Sequence, residues 1–263
     1  MSYELSIMNR LQELFERKNA NVLNVFCTAG FPQLNSTLEV MKALQDNGAD
    51  TIELGMPYSD PLADGPVIQA SSNKALQNGM TMQLLFEQLR DFRKEIYVPV
   101  ILMGNINPVL QFGFENFCKQ CASLPVDGII LPDLPEFEFE NEYSAIIKKY
   151  GLSFIFLITP ETSEERIRKL DSLSTGFLYA VSSSSTTGNK KDFTEVEKYL
   201  QRLQNMQLTN PFMVGFGIKD KASFQSACKY ANGAFIGTAY IKALENTGDI
   251  HAATKAFLNS IIN

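Results

Sequence analysis

The stretch Asp50-Thr-Ile-Glu-Leu-Gly-Met-Pro-Tyr-Ser-Asp-Pro-Leu-Ala-Asp-Gly-Pro-Val-Ile-Gln69 reads as a strand followed by a proline-bound loop. Strand side chains alternate, so Ile52 and Leu54 share one face and Glu53 takes the other. Short apolar runs of the same kind recur at Val22–Thr28, Val98–Met103, Gly128–Pro132, Ser153–Thr159, Gly176–Val181, Phe212–Gly217 and Gly233–Thr238. With Asp50–Met56 they make eight strands rich in Val, Ile, Leu or Phe, most of them bounded by Gly, Pro, Asn or Asp. Amphipathic helices are expected between them. One carries Leu38, Met41, Ala43 and Leu44 on a single face, another Leu84, Leu85, Gln88 and Leu89, and a third Phe224, Ala227 and Cys228. Eight such units without a break in composition predict one (β/α)8 TIM barrel over residues 1–263. A doubly wound open sheet is the alternative, disfavoured because no strand carries edge-like charge. An extra N-terminal helix, with Leu5, Met8, Leu11 and Phe15 in one stripe, is expected to cover the N-terminal end of the barrel.

Composition narrows the classes of function. Of 263 residues, 45% are hydrophobic and 20% charged, too apolar for a disordered chain. The 23 Lys and Arg against 29 Asp and Glu give a net charge of −6, which argues against nucleic acid as a partner. No run approaches the roughly 18 apolar residues of a membrane span. The opening Met-Ser-Tyr-Glu-Leu-Ser has neither the basic nor the apolar region of an export signal. A cytoplasmic protein, not bound to membrane, is expected. Cys118 and Cys121 form a C-x-x-C inside a helical stretch, where burial in helix packing is the expected role rather than redox chemistry or zinc. The lone histidine, His251, is expected on the surface of the C-terminal helix.

Two groups of residues invite chemistry. In a barrel, Ile52 and Leu54 belong against the helices, which aims Glu53 into the closed interior near its C-terminal end. A carboxyl group there is costly unless hydrogen-bonded or protonated, and burial raises its pKa toward the range useful for proton transfer. A structural glutamate bridging backbone groups is the other reading. Asp60 and Asp64 follow among Pro57, Pro61, Gly65 and Pro66, on the face where barrel enzymes keep their active sites; turn residues are the plainer reading of both. The second group comes from the last three strand ends, Thr187-Gly188, Gly215-Phe-Gly217 and Gly237-Thr238. Glycine loops there bring backbone N–H groups close to an anion, and a phosphate monoester is the natural ligand. The strands contain no lysine for a Schiff base, and one histidine cannot build a metal cluster, so acid–base chemistry is left.

The run Glu53–Gln69 resembles the signature of the α-subunit of tryptophan synthase. The likeness extends to Phe26-Cys-Thr-Ala-Gly-Phe-Pro32, Asn107-Pro108, Pro132-Asp-Leu-Pro135 and the glycine loops in their order. The resemblance implies a lyase that cleaves indole-3-glycerol phosphate by a retro-aldol reaction to indole and glyceraldehyde 3-phosphate, without cofactor or metal in this chain. It implies Glu53 as the main acid–base group and Asp64 as the partner of the indole N–H. Gly188, Gly217, Gly237 and Thr238, flanked by Gly215, fall at phosphate-binding positions. Phe26, Tyr179, Thr187 and Phe216 fall at positions lining the substrate pocket or its lid. It further implies an α2β2 assembly with a β-subunit that carries pyridoxal phosphate, docked through Pro57, Asp60, Asn107 and Pro108. Two departures stand out. Asn105-Ile106 replaces the aromatic residues common before Asn-Pro, and Ser185-Thr186 replaces the Gly-Val common in the lid loop. A stand-alone lyase that releases indole, a non-catalytic activating subunit and an unrelated phosphate-binding isomerase are the rival readings. Loss of Glu53, Asp64 or the phosphate glycines would mark the non-catalytic subunit, and all are present.

Overall fold

Val22–Thr28 forms an inner strand as the alternation requires. Leu23, Val25 and Cys27 join the outer core against the helices, while Val22 belongs to a separate cluster inside the ring. A computed structural model describes residues 9–61, 64–181, 190–215 and 217–263, and only the backbone of 190–194. Its strands are β1 (Val22–Thr28), β2 (Thr51–Gly55), β3 (Val100–Met103), β4 (Gly128–Ile130), β5 (Ser153–Phe154), β6 (Leu157–Ile158), β7 (Leu178–Val181), β8 (Phe212–Gly215) and β9 (Gly233–Ile236). All pair in parallel, in the order β5-β4-β3-β2-β1-β9-β8-β7-β6. The expected strand Ser153–Thr159 is thus split into β5 and β6. The Ile155 N–H donates to Ile129 O (3.1 Å) and Phe156 O accepts from the Tyr179 N–H (2.9 Å), so this one segment joins β4 to β7 and the ring closes. The other strands match their expected positions with shorter ends. β3 starts at Val100 because Pro99 has no N–H to give the ladder.

The helices cover the outside. In α2 (Thr37–Asp46) the buried face is Thr37, Val40, Met41, Ala43 and Leu44. Leu38, expected on that face, is 36% exposed; it lies about 100° per residue away from the stripe, and Val40 takes its place. Leu85 and Leu89 are buried as expected, as are Phe224 and Ala227. The C-terminal helix Ile250–Ile262 is capped by Asp249, whose carboxylate accepts from the Ala252 N–H (2.9 Å). It buries Ile250, Thr254, Leu258 and Ile261 and leaves His251 exposed. Cys118 and Cys121 are buried in the helix Phe114–Ser123, and burial raises both thiols well above their ordinary value.

Helix α1 (Arg10–Arg17) closes the floor of the ring. Its buried residues are Leu11 and Leu14, which pack with Ile101, Ile130, Ile155 and Phe177 inside the barrel. Phe15 is only partly buried, and Leu5 and Met8 lie outside the described residues. Asn9 caps the helix in a reciprocal box with Gln12, and its amide donates to Asp127 O (2.7 Å) and Ser153 Oγ (3.1 Å). Beside it, buried Asp127 is paired with Arg93 and Arg10 and accepts from the Val100 N–H (2.8 Å). Burial lowers the Arg93 guanidinium to about 10 and raises the Asp127 carboxyl, although each partner pulls the other way. Desolvation therefore outweighs attraction, and the pair is costly to break rather than a net source of stability. Replacing Asp127 by alanine strands Arg93 in the floor. Urea melts of Asp127→Ala should show a loss of about 3 kcal/mol or more; a loss below about 1 kcal/mol would show that water reaches this pair.

Candidate active site

The register places Glu53 opposite Phe26 of β1 and Ile101 of β3, all on the inner face. Glu53 is 2% exposed, while its neighbours Ile52 and Leu54 are fully buried in the outer core. Among the described residues its Oε2 has no hydrogen-bond partner, which excludes the reading of a glutamate bridging backbone groups through that atom. Burial, and then the nearby charge of Asp64, push the Glu53 carboxyl from 4.5 up to about 8. Burial likewise raises Asp64. The Tyr179 hydroxyl is raised well above its ordinary value by burial and by the charges of Glu53 and Asp64. The three groups therefore share one electrostatic environment at the top of the ring.

Above them opens a pocket with about 460 Å³ of empty space, its mouth included, lined by Phe26, Thr28, Gly55, Met56, Pro61, Asp64, Ile68, Ser72, Met103, Gly104, Asn105 and Pro132. Glu53 itself is not on its wall. The Phe26 ring lies across Gly55, the next inner-face position toward the mouth, so closely that a Cβ there would come within 2.5 Å of it. The same constraint operates across the ring, where a Cβ on Gly215 would fall 2.5 Å from the Tyr179 ring. Tyr179 also stacks on Phe235, with centroids 3.8 Å apart and planes at 12°.

The loop after β2 is fixed by its neighbours. Helix α3 (Pro66–Gln77) begins with proline at its first turn and is pinned to the end of β1 by a 2.7 Å hydrogen bond between the Thr28 and Ser71 hydroxyls. Ser72 Oγ accepts from the Tyr58 N–H (3.0 Å), and the Gln69 amide donates to Asp64 O (2.8 Å). Asn107 donates to Tyr58 Oη (3.1 Å), while Asn105 and the Ile106 N–H donate to Asp133. The loops after β2, β3 and β4 are thus tied together, with Asp60 and Asn107 exposed and Pro57 and Pro108 half-buried on the same rim. Where aromatic residues were expected before Asn-Pro, the wall is Met103, Gly104 and Asn105, and Met56 packs against Gly104. On the far side Gly237 abuts Phe26, while Gly217 and Thr238 are exposed at their strand ends. Thr187, Gly188 and Phe216, and the Ser185-Thr186 departure, lie outside the described residues. Of the lining residues, Phe26 and Asp64 were candidates from the sequence; Thr28, Gly55, Met56, Pro61, Ile68, Ser72, Met103, Gly104, Asn105 and Pro132 were not, because their closeness depends on register and helix placement, which no local pattern encodes. Among the described residues no cluster of His, Cys, Asp and Glu could hold a metal, and no helix is long and apolar enough to cross a membrane.

The sequence profile described as tryptophan synthase alpha chain matches residues 12–261. The chain belongs to the tryptophan synthase alpha chain family. As a member it is a carbon–carbon lyase of tryptophan biosynthesis, acting on indole-3-glycerol phosphate. The tryptophan synthase alpha chain of Flavobacterium johnsoniae is 53% identical over 243 residues, covering 92% of this chain and 95% of that one. That of Phocaeicola vulgatus is 46% identical over 258 residues, covering 97% and 100%. A crystal structure of the alpha chain from Legionella pneumophila superposes with a TM-score of 0.85 at 35% identity, over 97% of this chain and 96% of that one. A chain in a structure described as a tryptophan synthase complex from Pyrococcus furiosus gives 0.84 at 33% identity, over 93% and 99%. The expected TIM barrel and the expected family both hold.

The raised Glu53 pKa has a consequence for stability. The folded state holds its proton up to about pH 8 while the unfolded chain releases it near 4.5. Folding therefore takes up a proton between those values, and this contribution, full below 4.5, is lost as pH rises through 8. Wild-type Tm should fall from pH 5 to pH 8 by on the order of 5 °C more than that of Glu53→Gln. Parallel pH profiles of Tm would show that Glu53 ionises freely in the fold.

Proposed function

We propose that Glu53 carries out the proton transfers of the lyase reaction. The observation that supports this is its carboxyl, buried on the inner face of the barrel with an unpartnered oxygen and protonated at neutral pH. A protonated carboxyl can give its proton to C3 of the indole ring. The resulting indoleninium is an electron sink. As the side-chain hydroxyl loses its proton, the bond from C3 to the side chain breaks, its electrons return to the ring, and indole and glyceraldehyde 3-phosphate are formed. The protons given and taken balance, so Glu53 ends the cycle as it began. Asp64, lining the pocket and electrostatically coupled to Glu53, accepts a hydrogen bond from the indole N–H and stabilises the positive charge on the protonated ring. Phe26 and Tyr179 flank the ring, with Phe216 and the lid residue Thr187 completing the pocket. Gly188, Gly217, Gly237 and Thr238, flanked by Gly215, hold the phosphate at the strand ends opposite.

The whole of residues 1–263 is read as one domain acting in the cytoplasm. The rim that carries Pro57, Asp60, Asn107 and Pro108 is assigned to docking of the β-subunit in an α2β2 assembly. Support comes from the hydrogen bonds that hold this rim rigid and from the similarity to a chain of the Pyrococcus furiosus complex. Pyridoxal phosphate belongs to that partner, and no cofactor is assigned to this chain.

Purified protein given indole-3-glycerol phosphate should release indole, faster when β-subunit is added. Glu53→Gln should keep the fold and lose about 10²–10⁴-fold in kcat; near-normal turnover would remove Glu53 from the chemistry. Asp64→Asn should lower kcat about 10²-fold with glycerol phosphate affinity unchanged. Loss of that affinity instead would assign Asp64 to the phosphate.

A further inference from the structure

Inside the ring, one polar side chain has no role in the reaction described above. Asn24 lies on the inner face of β1 and is 0% exposed, yet neither its Nδ2 nor its Oδ1 has a hydrogen-bond partner among the described residues. Its ladder neighbours are Thr51 on β2 and Phe235 on β9. Phe235 offers no acceptor, and the Thr51 hydroxyl already donates to Pro99 O (3.1 Å). Two positions along, Phe26 pairs with Glu53, so Asn24 and Glu53 are diagonal neighbours on the same inner face. From the spacing of neighbouring strands and the rise along each, such diagonals have Cα atoms roughly 8 Å apart, a separation that one water can bridge between two polar side chains. Glu53 contributes the third orphan, Oε2. Three unpartnered polar atoms on one diagonal of an otherwise apolar interior are expensive to leave unmatched, and buried polar groups without a partner call for a specific reason.

We propose that Asn24 is a positioning residue for Glu53, its side-chain amide hydrogen-bonding the Glu53 carboxyl through one internal water and fixing its orientation toward substrate. This rests on the reading of Glu53 as the acid–base group. The chemistry of the amide suits the task. A carboxyl that cycles between protonated and ionised forms needs a partner that accepts in one state and donates in the other, and an asparagine side chain has both an acceptor and a donor. Donation to the ionised form lowers the cost of each proton release in the dry barrel. The titratable groups that share this environment with Glu53 are Asp64, Tyr179 and Cys27. None of them is replaced in the test below.

Asn24→Leu keeps the branching and heavy-atom count of the side chain, is somewhat larger, and removes both polar atoms; Asn24→Val, smaller than leucine and β-branched, is read in the same way if leucine is too large to fold. The full-length variants are assayed for indole formation across pH. Their Glu53 carboxyl is followed by carbon-13 NMR, its signal assigned by its disappearance in Glu53→Gln. The expected result is a Tm below wild type, because the buried Glu53 carboxyl loses its partner. With it come a roughly tenfold lower kcat at nearly unchanged KM and a Glu53 titration moved to higher pH. Wild-type kcat and an unmoved Glu53 titration, with Glu53→Gln inactive, overturn the role of Asn24 alone. A lowered Tm with no movement of the titration also overturns it, since that marks a purely structural side chain. A moved titration with unchanged kcat, alongside an active Glu53→Gln, overturns the acid–base reading of Glu53 and the positioning role with it.

Discussion

The ladder on either side of Glu53 holds its carboxyl on the inner face of the ring, almost wholly out of bulk water. Its neighbours Ile52 and Leu54 are seated in the helix layer, and the pairing of β2 with β1 and β3 fixes which way every side chain of the strand points. A one-residue slip would bury two aliphatic chains in the ring and put the carboxyl among the helices. The raised pKa is therefore a consequence of strand register, not of any residue chosen to tune it. Among the described residues, the charge that adds to burial is another carboxylate, Asp64, and it pushes in the same direction. A protonated acid at neutral pH follows from geometry alone.

At the floor and the mouth of the barrel, by contrast, buried polar groups are matched. At the floor, Asn9 caps α1 and binds two partners on the ring, while Asp127 is matched by two arginines and a backbone N–H. At the mouth, Tyr58, Ser72, Asn105, Asn107 and Asp133 tie three successive loops together. In the middle, among the described residues, buried polar atoms are left over inside the ring, at Asn24 and Glu53. Their concentration on one diagonal sets this layer apart from the two that hold the fold.

Close packing of rings against glycine gives the pocket its shape. Phe26 occupies the space a side chain at Gly55 would need, and Tyr179 does the same at Gly215. These two aromatics face inward from strands on different sides of the ring, with Phe235 stacked on Tyr179 below. A flat, apolar slot with one carboxylate at its wall and another beneath suits a planar heteroaromatic ring that must be protonated at carbon. Substitution of Gly55 would displace the Phe26 ring that lines the slot, and substitution of Gly215 would displace Tyr179, so within each pair the two positions are coupled rather than independent.

Much of this was legible in the chain of residues itself. Period-two alternation in Asp50–Met56 put Glu53 inside, the eight apolar runs predicted the ring, and the run Glu53–Gln69 pointed to the family. Those signals are local, because alternation and loop chemistry are set by a residue's immediate neighbours. Other features were out of reach. The split of Ser153–Thr159 into β5 and β6, the exposure of Leu38, the burial of Leu14 and the contribution of Met56 and Ser72 to the pocket all depend on which elements pack together. Asn24 shows the boundary most clearly. Its place in Val22-Leu-Asn-Val-Phe-Cys-Thr28 marks it as inward-facing, but its lack of a partner emerges only when Thr51, Phe235 and Glu53 are brought around it. Sequence determined which side chains face the interior, since that is a property of one strand; tertiary structure decided which of them are left unmatched, since that is a property of the ring.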